Sequence, residues 1–247
     1  MNQIIDSEIE LIEPGHRYIL KSDPEFKFTS CTAFIDYFFK PFDKIAIANK
    51  LTATHPNYKG MSPETLIAQW DQVAVSGTNI HKEIEDYIKN NSAPELHKSK
   101  SAIEMIKKID LCAFEIQPEV RVYSKEIGLA GSIDLLIYDK RTKQYHIRDW
   151  KTNKKIEMKS YGNKVGTHSA TSDIMDCNYY HYSLQLSLYR FILENYYGLK
   201  IASTSICHLT EDKLVPIKCD YHEEVVKKMI KADRTALRRR HESCLTK

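Results

Sequence analysis

In the first half of the chain, apolar residues recur mostly at the spacing of helices. A short hairpin is predicted over 9–20, with its turn at Pro14-Gly15. Ser62 is a helix-start signal, and Gly77 interrupts the apolar pattern that follows it. We therefore expect one helix before Gly77 and a second from there to Asn90. The other helices are predicted from Thr29 or Ser30 to before Pro41, over 44–51 and over 94–111.

The middle of the chain changes to the two-residue alternation of strands. Strands are predicted over 114–123, 128–138, 144–151, 201–209 and 214–218, and helices over 179–197 and from His222. The polar stretch over 152–178 is long for a loop in a compact domain, and such loops are often functional. This order predicts an α/β or α+β core rather than a helical bundle or a β-sandwich.

Composition argues against several classes of protein. With 42% hydrophobic and 28% charged residues among 247, the chain can bury a core and is not compositionally disordered. No apolar run approaches the ~20 residues of a spanning helix, and the acidic first residues do not resemble a secretion signal. Six scattered cysteines without a CxxC pair predict reduced thiols in an intracellular protein. The net charge of +3 is too small to indicate a nucleic-acid partner by itself.

Two aspartates in the predicted strands are placed to face each other. If Arg141 and Thr142 form the turn between the strands, Asp134 lies directly opposite Asp149. Directly opposed side chains share a face of the sheet, with Cβ atoms about 5 Å apart. Lys151 follows Asp149 by two residues, so it projects from that same face. The pattern therefore predicts two carboxylates and one ammonium group at one end of the sheet.

Two adjacent carboxylates repel each other unless a proton or a cation neutralises one of them. A hard divalent ion such as Mg²⁺ would do so, because it prefers oxygen ligands, and the backbone carbonyl of Trp150 could add one more. Such an ion polarises a phosphodiester and lowers the pKa of a water molecule, while Lys151 positions that water or stabilises developing charge. The other interpretation is an ordinary cross-strand salt bridge among Asp134, Asp149 and Lys151.

Two further groups of residues bear on this site. His81 lies near the start of a predicted helix, where a packed or exposed histidine is the alternative to a metal ligand. Gln185 and Tyr189 lie four residues apart in the aromatic and apolar pattern of a later helix. A core position explains Tyr189, but a buried Gln185 needs hydrogen-bond partners.

Four short motifs occur in a fixed order along the chain. They are G-T-x-x-H at 77–81, G-x-I-D at 131–134, D-W-K at 149–151 and Q-L-x-x-Y at 185–189. In this order the set resembles the RecB-like branch of the PD-(D/E)XK nuclease superfamily, which includes the CRISPR adaptation nucleases, exonuclease V and the mitochondrial genome maintenance exonuclease. The segment 28–34, which contains Ser30, is similar to the serine- and threonine-rich entry helix upstream of these motifs.

The resemblance implies a fold and a domain organisation. The fold would be α/β, a PD-(D/E)XK or restriction-endonuclease-like core with a mixed central sheet flanked by helices. The whole chain, 1–247, would be a single nuclease domain. Its parts would be an N-terminal helical part of the DNA-binding cleft over 1–76, a catalytic core over 77–220 and a basic C-terminal helix over 221–247.

The resemblance also implies roles for particular residues. The implied metal ligands are His81, Asp134 and Asp149, and Glu119, on the strand before the hairpin, is either a further acidic ligand or an exposed strand glutamate. Lys151 would be the catalytic lysine. Gln185 and Tyr189 would support the active site and contact DNA.

The chain departs from the family pattern at three points. Ile133 stands where the literal motif has proline, and Asp149 stands where many relatives have glutamate; the second change keeps the carboxylate chemistry. The members with an iron–sulfur cluster carry one upstream cysteine and three that cluster near the C-terminus. Here Cys207, Cys219 and Cys244 are too dispersed for that arrangement, so we expect no iron–sulfur centre.

A nuclease must hold a polyanion, and local charge matters more than net charge. The polar stretch after the predicted catalytic lysine interleaves basic and aromatic residues, which suits backbone contact and base stacking. The candidate DNA contacts are Ser30, Lys154, Lys155, Tyr161 and Tyr182. The segment 223–247 is also basic, with eight lysines and arginines against four acids. A solvated helix face and a tyrosine-rich core helix are the alternatives for these regions.

We expect a Mg²⁺- or Mn²⁺-dependent deoxyribonuclease, an exonuclease, acting on single- or double-stranded DNA in replication, recombination or repair. The alternatives are a catalytically silent DNA-binding or scaffolding protein that keeps the fold, and a metal-dependent hydrolase of another substrate. The sequence leaves open a recombination or helicase partner and a homo-oligomer. No membrane partner is expected. A cytoplasmic location fits, including that of a virus-encoded protein acting in its host cell.

Overall fold

The structure is a computed structural model that describes residues 8–13 and 15–245, with side chains to residue 239. The predicted first hairpin forms, because β1 (Ile9–Ile12) and β2 (Arg17–Leu20) pair antiparallel. Pro14, predicted at its turn, lies outside the described residues. Gly15 beside it has a φ of 115°, which glycine adopts without the steric cost of a side chain.

Helices fill most of the region between this hairpin and the long strands. A two-residue strand, β3 (Thr29–Ser30), is followed by α1 (Cys31–Asp36), α2 (Lys44–Thr54), α3 (Pro63–Asn90) and α4 (His97–Ile106). Ser30 and Ser62 begin α1 and α3 as predicted, because each side chain accepts a hydrogen bond from a backbone N–H of the first turn. The helix predicted over 94–111 is shorter at both ends in the structure.

Gly77 does not end a helix, contrary to the prediction. Helix α3 runs through it without a break for 28 residues. A glycine inside a helix costs about 1 kcal/mol relative to alanine. Here, however, a Cβ atom would come within 3.1 Å of Thr152 Oγ1, so the missing side chain allows α3 and Thr152 to approach closely. The boundary expected between 76 and 77 therefore falls inside one helix.

A mixed sheet of six strands forms the centre of the molecule, and helices flank it, as predicted. Its longer strands are β4 (Phe114–Ser124), β5 (Leu129–Asp139), β6 (Gln144–Lys151), β7 (Ile201–Leu209) and β8 (Leu214–Cys219). Strand β5 pairs antiparallel with both β4 and β6. Strand β6 pairs parallel with β7, and β8 pairs antiparallel with β7. The predicted strand ranges agree with these bounds to within one residue.

One edge of β5 is shared by two other strands. On its opposite edge, β4 pairs along the length of β5. On the shared edge, β3 pairs with Leu129 and Ala130, whereas β6 pairs with 135–139. Residues 131–134, the G-x-I-D motif, lie between these two partners. The motif therefore occupies a notch in the sheet, and we call residues 131–134 the notch below.

Three helices complete the described chain: α5 (Asn178–Tyr196), α6 (Glu223–Lys231) and α7 (Arg234–Leu245). The C-terminal segment was expected to form one helix and forms two, because Ala232 after α6 is in an extended conformation. Among the helices of the described residues, none is long and apolar enough to cross a membrane.

Apolar side chains pack on both faces of the sheet. On one face, Leu136 and Ile147 belong to a core shared with α1, α5 and α6. On the other face, Leu135 and Trp150 pack in a second core with α3 and α4. The end of β6 is thus enclosed by α3 on one side and α5 on the other, which are the helices that carry two of the four motifs.

Candidate active site

The β5–β6 hairpin has the predicted register. Leu135 pairs with Arg148, and the same register continues to Asp134 and Asp149. The backbone pairing between β5 and β6 ends at Leu135. Beyond it, the side chain of Asp134 replaces the backbone as hydrogen-bond partner of β6. Asp134 Oδ2 accepts a hydrogen bond of 2.7 Å from the backbone N–H of Trp150. This bond ties the end of β6 to the notch.

Eight of the predicted site residues line one cleft of about 710 Å³ beside the notch. Its walls come from the first hairpin, the start of α1, and helices α3 and α5. The predicted residues that it brings together are Ser30, His81, Glu119, Asp134, Asp149, Lys151, Gln185 and Tyr189. Trp150 is not one of the described residues that line this cleft, and its side chain packs on the other face of the sheet. Its carbonyl therefore stays a predicted ligand.

Asp134 lies at the centre of a group of possible metal ligands. His81 Nδ1 lies 3.5 Å from Asp134 Oδ2. One ligand atom each from His81, Glu119 and Asp134 lies within 4.8 Å of the other two. Ser132 Oγ donates a hydrogen bond of 2.8 Å to Glu119 Oε2 and so fixes that carboxylate. Three elements, α3, β4 and β5, therefore contribute one possible ligand each.

The backbone of Glu119 has an unusual conformation. Its φ is 49°, in the left-handed region that costs a residue other than glycine about 1–2 kcal/mol. The pairing of β4 with β5 skips Glu119 and Asp134, which lie opposite each other in the register. Such strain persists only where the surroundings fix it, and it is common at functional sites. Here the strained backbone lies where Glu119 and Asp134 are opposite each other.

Lys151 is held from three sides. Its Nζ lies 2.7 Å from Asp149 Oδ2, 3.4 Å from Gln185 Oε1 and 4.5 Å from the centroid of the Tyr182 ring. The contact with Asp149 is a buried ion pair, in which the ammonium group is the partner of Asp149 Oδ2. Tyr182 OH in turn donates a hydrogen bond of 2.8 Å to Asn153 Oδ1.

Gln185 connects Lys151 to the core of the protein. Its Oε1 faces Lys151, and its Nε2 donates a hydrogen bond of 2.9 Å to Tyr189 OH. Tyr189 is 3% exposed and packs where Gly131 leaves room, since a Cβ atom on Gly131 would lie 2.3 Å from Tyr189 Cε1. The half-buried amide is therefore satisfied at both ends. Direct packing joins the G-x-I-D motif to the Q-L-x-x-Y motif.

Burial or neighbouring carboxylates raise the pKa values of three groups in the cleft. Burial raises the pKa of Glu119 to about 7, and the charge of Asp134 adds to this effect. Burial also raises the pKa of Asp149 to about 6, against the opposing influence of Lys151. Burial acts to lower the pKa of His81, but Asp134 overcomes it and raises that pKa to about 9. The cleft thus favours protons, or other cations, at this position.

The donor set fits a hard divalent ion. Glu119 and Asp134 supply carboxylate oxygens and His81 supplies an imidazole nitrogen, while the buried Asp149 beside them has its Oδ2 paired with Lys151. Sets rich in carboxylates suit Mg²⁺ and Mn²⁺. A cation here would also relieve the repulsion between the carboxylates. The residues therefore fit the ion that the sequence predicts, and its presence stays a prediction.

The predicted DNA contacts lie in two different environments. Ser30 lines the cleft, and Tyr182 is half-buried over the lysine of the D-W-K motif. Lys154 and Lys155 are exposed in the loop after β6, and Tyr161 in the same loop is 88% exposed. The structure therefore places the first two at the site and the other three on the protein surface.

Two residues outside the predicted set hold the segment that follows Lys151. His208 Nε2 on β7 lies 2.7 Å from the carbonyl oxygen of Asn153. Lys98 Nζ on α4 donates a hydrogen bond of 3.2 Å to the carbonyl oxygen of Thr152. Both residues are distant in sequence from the segment that they hold, so the sequence pattern did not predict their contacts. The local indication of such contacts is that Thr152 and Asn153, directly after Lys151, are polar.

No protein-family model matches the chain, and no curated protein matches it. The fold and the site define a mixed α/β protein with carboxylates, a histidine and a lysine gathered in one cleft. Below we call the set His81, Glu119, Asp134, Asp149 and Lys151 the charge cluster.

Proposed function

We propose that the protein is a metal-dependent DNA nuclease that hydrolyses phosphodiester bonds, an exonuclease of the RecB-like branch of the PD-(D/E)XK superfamily. The observation that carries this proposal is the meeting of the charge cluster in one cleft. The side chains of Asp149 and Lys151 are only 2% and 16% exposed, unlike those of an ordinary surface salt bridge. Burying such charges costs several kcal/mol per ion, which favours a site for chemistry over a structural ion pair.

The arrangement of the motifs also supports this class. The two acidic motifs lie on adjacent antiparallel strands of a mixed sheet, and the lysine follows the second acid by two residues. The Q-L-x-x-Y motif lies on α5, where it contacts both the lysine and the notch. Motif order along a chain does not require the motifs to meet in space, so their meeting is independent support.

The chain's own residues would divide the work between binding and charge stabilisation. Asp134, Asp149, Glu119 and His81 would hold the ion. A bound Mg²⁺ or Mn²⁺ would supply Lewis-acid polarisation of the phosphodiester and a lowered pKa for water. Burial acts to lower the pKa of Lys151, but the aspartates raise it, so its ammonium group stays charged. That group can donate hydrogen bonds to the attacking water or to a phosphoryl oxygen.

Gln185 and Tyr182 would position Lys151 rather than react. The amide oxygen of Gln185 accepts from the ammonium group, and the Tyr182 ring covers it on another side. Because both partners are themselves fixed by hydrogen bonds, Lys151 has little freedom to leave the cleft. Such support keeps a reacting group in a productive geometry.

The direct test is a cleavage assay on end-labelled linear single strands, linear duplex and circular DNA, each with Mg²⁺, Mn²⁺ or EDTA. We expect degradation of linear DNA with either metal and none in EDTA, and intact circles would establish dependence on ends. Lys151→Ala should reduce the rate at least about 100-fold. Lys140→Ala is the matched control, because Lys140 lies exposed near the turn at the far end of the same hairpin.

Other results of the same assay would redirect the proposal. Binding of DNA without cleavage in any metal would favour the silent DNA-binding protein. Hydrolysis of a small phosphodiester without any attack on DNA would favour a hydrolase of another substrate. Cleavage that Lys151→Ala leaves unchanged would contradict the proposed site.

A further inference from the structure

Helix α3 presents a continuous face to the cleft. Trp70, Ala74, Gly77 and His81 follow one another at intervals of three and four residues, and all four line the cleft. At 1.5 Å per residue, Trp70 lies about 16 Å from His81 along the helix axis. The two residues of this face that lie between them, Ala74 and Gly77, are small. This face therefore runs from the charge cluster, past two small residues, to an aromatic ring.

An aromatic pair, the half-buried Trp70 and the exposed Phe42, lies at the far end of this face. Phe42, two residues before α2, packs on Trp70 edge to face, with ring centroids 5.9 Å apart. Phe42 is 63% exposed, and Val73, which also lines the cleft, is 60% exposed. Large apolar side chains exposed together at the mouth of a polar cleft indicate a binding surface. The chemistry of the charge cluster does not require them.

A second cavity, of about 920 Å³, continues from Phe42 to Tyr182, whose ring covers Lys151. Lys40 and Lys164 line it with their positive charges. Three aspartates also line it: Asp43 caps α2, and Asp36 and Asp176 flank His181. The cavity therefore offers the rings of Phe42 and Tyr182 and two ammonium groups beside the aromatic pair, and rings with basic groups are the elements that bind a single strand of nucleic acid.

We propose that the Phe42–Trp70 pair is a stacking platform for an unpaired nucleobase of the strand whose phosphodiester enters the charge cluster. This inference rests on the proposed nuclease function and adds the feature that selects the substrate. The protein takes a strand with free bases, at a single-stranded segment or a frayed end. A base inside a duplex is stacked on both sides and does not reach the platform.

The chemistry of the platform matches a base better than a phosphate or a protein surface. Aromatic rings bind bases through their π faces whatever the sequence. The small side chain of Ala74 leaves room for the sugar and phosphate groups between the platform and the charge cluster. A stable protein partner would bury about 800 Å² on each side. Phe42, Trp70 and Val73 at the edge of a polar cleft offer much less apolar surface than that.

The test measures binding in EDTA, which prevents metal-dependent cleavage. The probes are a labelled oligo-dT and an oligonucleotide of equal length in which abasic sites replace the bases. Trp70 and Trp150 are the two tryptophans of the chain, and Trp150 is buried, so quenching of tryptophan fluorescence reports on Trp70. We expect the parent protein to bind oligo-dT about 5- to 100-fold more tightly than the abasic probe, with quenching.

The variants separate stacking from folding. Trp70→Ala should abolish the preference for bases, whereas Trp70→Phe should keep the preference and lose the quenching. Phe42→Ala should also weaken oligo-dT binding. Because Phe42 lies outside the helices, this substitution does not alter a helix. Val75→Ala is the matched control, because Val75 is 53% exposed on α3 but is not one of the described residues that line the cleft.

The outcomes distinguish this inference from the nuclease proposal. A parent protein that cleaves DNA but does not prefer bases, or a Trp70→Ala variant that keeps the preference, overturns the platform and leaves the nuclease standing. A parent that neither binds nor cleaves DNA overturns both. Self-association that Trp70→Ala abolishes, with oligo-dT binding unchanged, would assign the pair to contacts between copies of this chain and overturn the platform.

Discussion

The charged residues near the site fall into two regions that differ in burial. In the charge cluster, the side chains of Asp149 and Lys151 are almost buried and touch each other. In the loop after β6, Lys154 and Lys155 are exposed. Buried charges must be compensated by the protein or a ligand, whereas exposed charges are compensated by water. Substitutions in the cluster should therefore change the rate of reaction, and substitutions in the loop should change only the affinity for a polyanion.

Asp134→Asn should give the largest effect, in the charge cluster. Its amide oxygen can still accept the N–H of Trp150, so the fold should survive, but the negative charge between His81 and Glu119 is lost. We expect the rate of DNA cleavage in Mg²⁺ to fall about 1000-fold in single-turnover assays. Asp173→Asn, at an exposed position of the loop, is the control. A rate within tenfold of the parent protein would remove Asp134 from the active site.

Gly131→Ala should show that close packing between the notch and Tyr189 stabilises the protein. The new Cβ atom would lie 2.3 Å from Tyr189 Cε1, so the ring must move and Gln185 must follow it. We expect the free energy of unfolding to fall by about 1–3 kcal/mol in urea denaturation. In the Tyr189→Leu background the same substitution should cost less, because the shorter side chain leaves room. Equal costs in the two backgrounds would contradict this packing.

Reversing two loop charges, with Lys154→Glu and Lys155→Glu together, should weaken DNA binding without slowing turnover. Each lost phosphate contact lowers the slope of log affinity against log salt by about 0.7 for a single strand. We therefore expect roughly tenfold weaker binding at 0.1 M salt and an unchanged rate at saturating DNA. Lys140→Glu with Lys143→Glu, near the turn at the opposite end of the β5–β6 hairpin, should change neither. Unchanged affinity in the loop variant would assign the loop no role in binding.

A comparison at position 119 should give the smallest effect, on stability. Glu119→Gly and Glu119→Ala both remove the carboxylate, but only glycine adopts the left-handed conformation without strain. We expect the glycine variant to be about 1 kcal/mol more stable than the alanine variant in chemical denaturation. An alanine variant that is equally stable would show that the strand relaxes when the carboxylate is gone.

The sequence predicted the hairpin well because its rules are local. A tight turn at Arg141 and Thr142 fixes the register, and the two-residue period of a strand then places Asp134, Asp149 and Lys151. Helix starts at Ser30 and Ser62 were found for the same reason, since a capping side chain contacts its own first turn.

Features that depend on distant contacts were missed. Helix α3 continues through Gly77, where Thr152 from another part of the chain packs against it. The left-handed backbone of Glu119 is fixed by tertiary surroundings and has no local signal, since glutamate rarely adopts it. The notch likewise follows from β3 and β6 sharing one edge of β5, which strand propensity does not encode.

Most of these predictions depend on one claim, that the buried carboxylates of the charge cluster hold a divalent ion. Isothermal titration calorimetry of Mn²⁺ tests it directly on the parent protein and on the double variant Asp134→Asn, Asp149→Asn, with the thermal melt of each as a folding control. We predict that the parent binds at least one ion and that the folded double variant shows no binding heat. Equal Mn²⁺ affinity in the two proteins, or no binding by the parent, would contradict the claim.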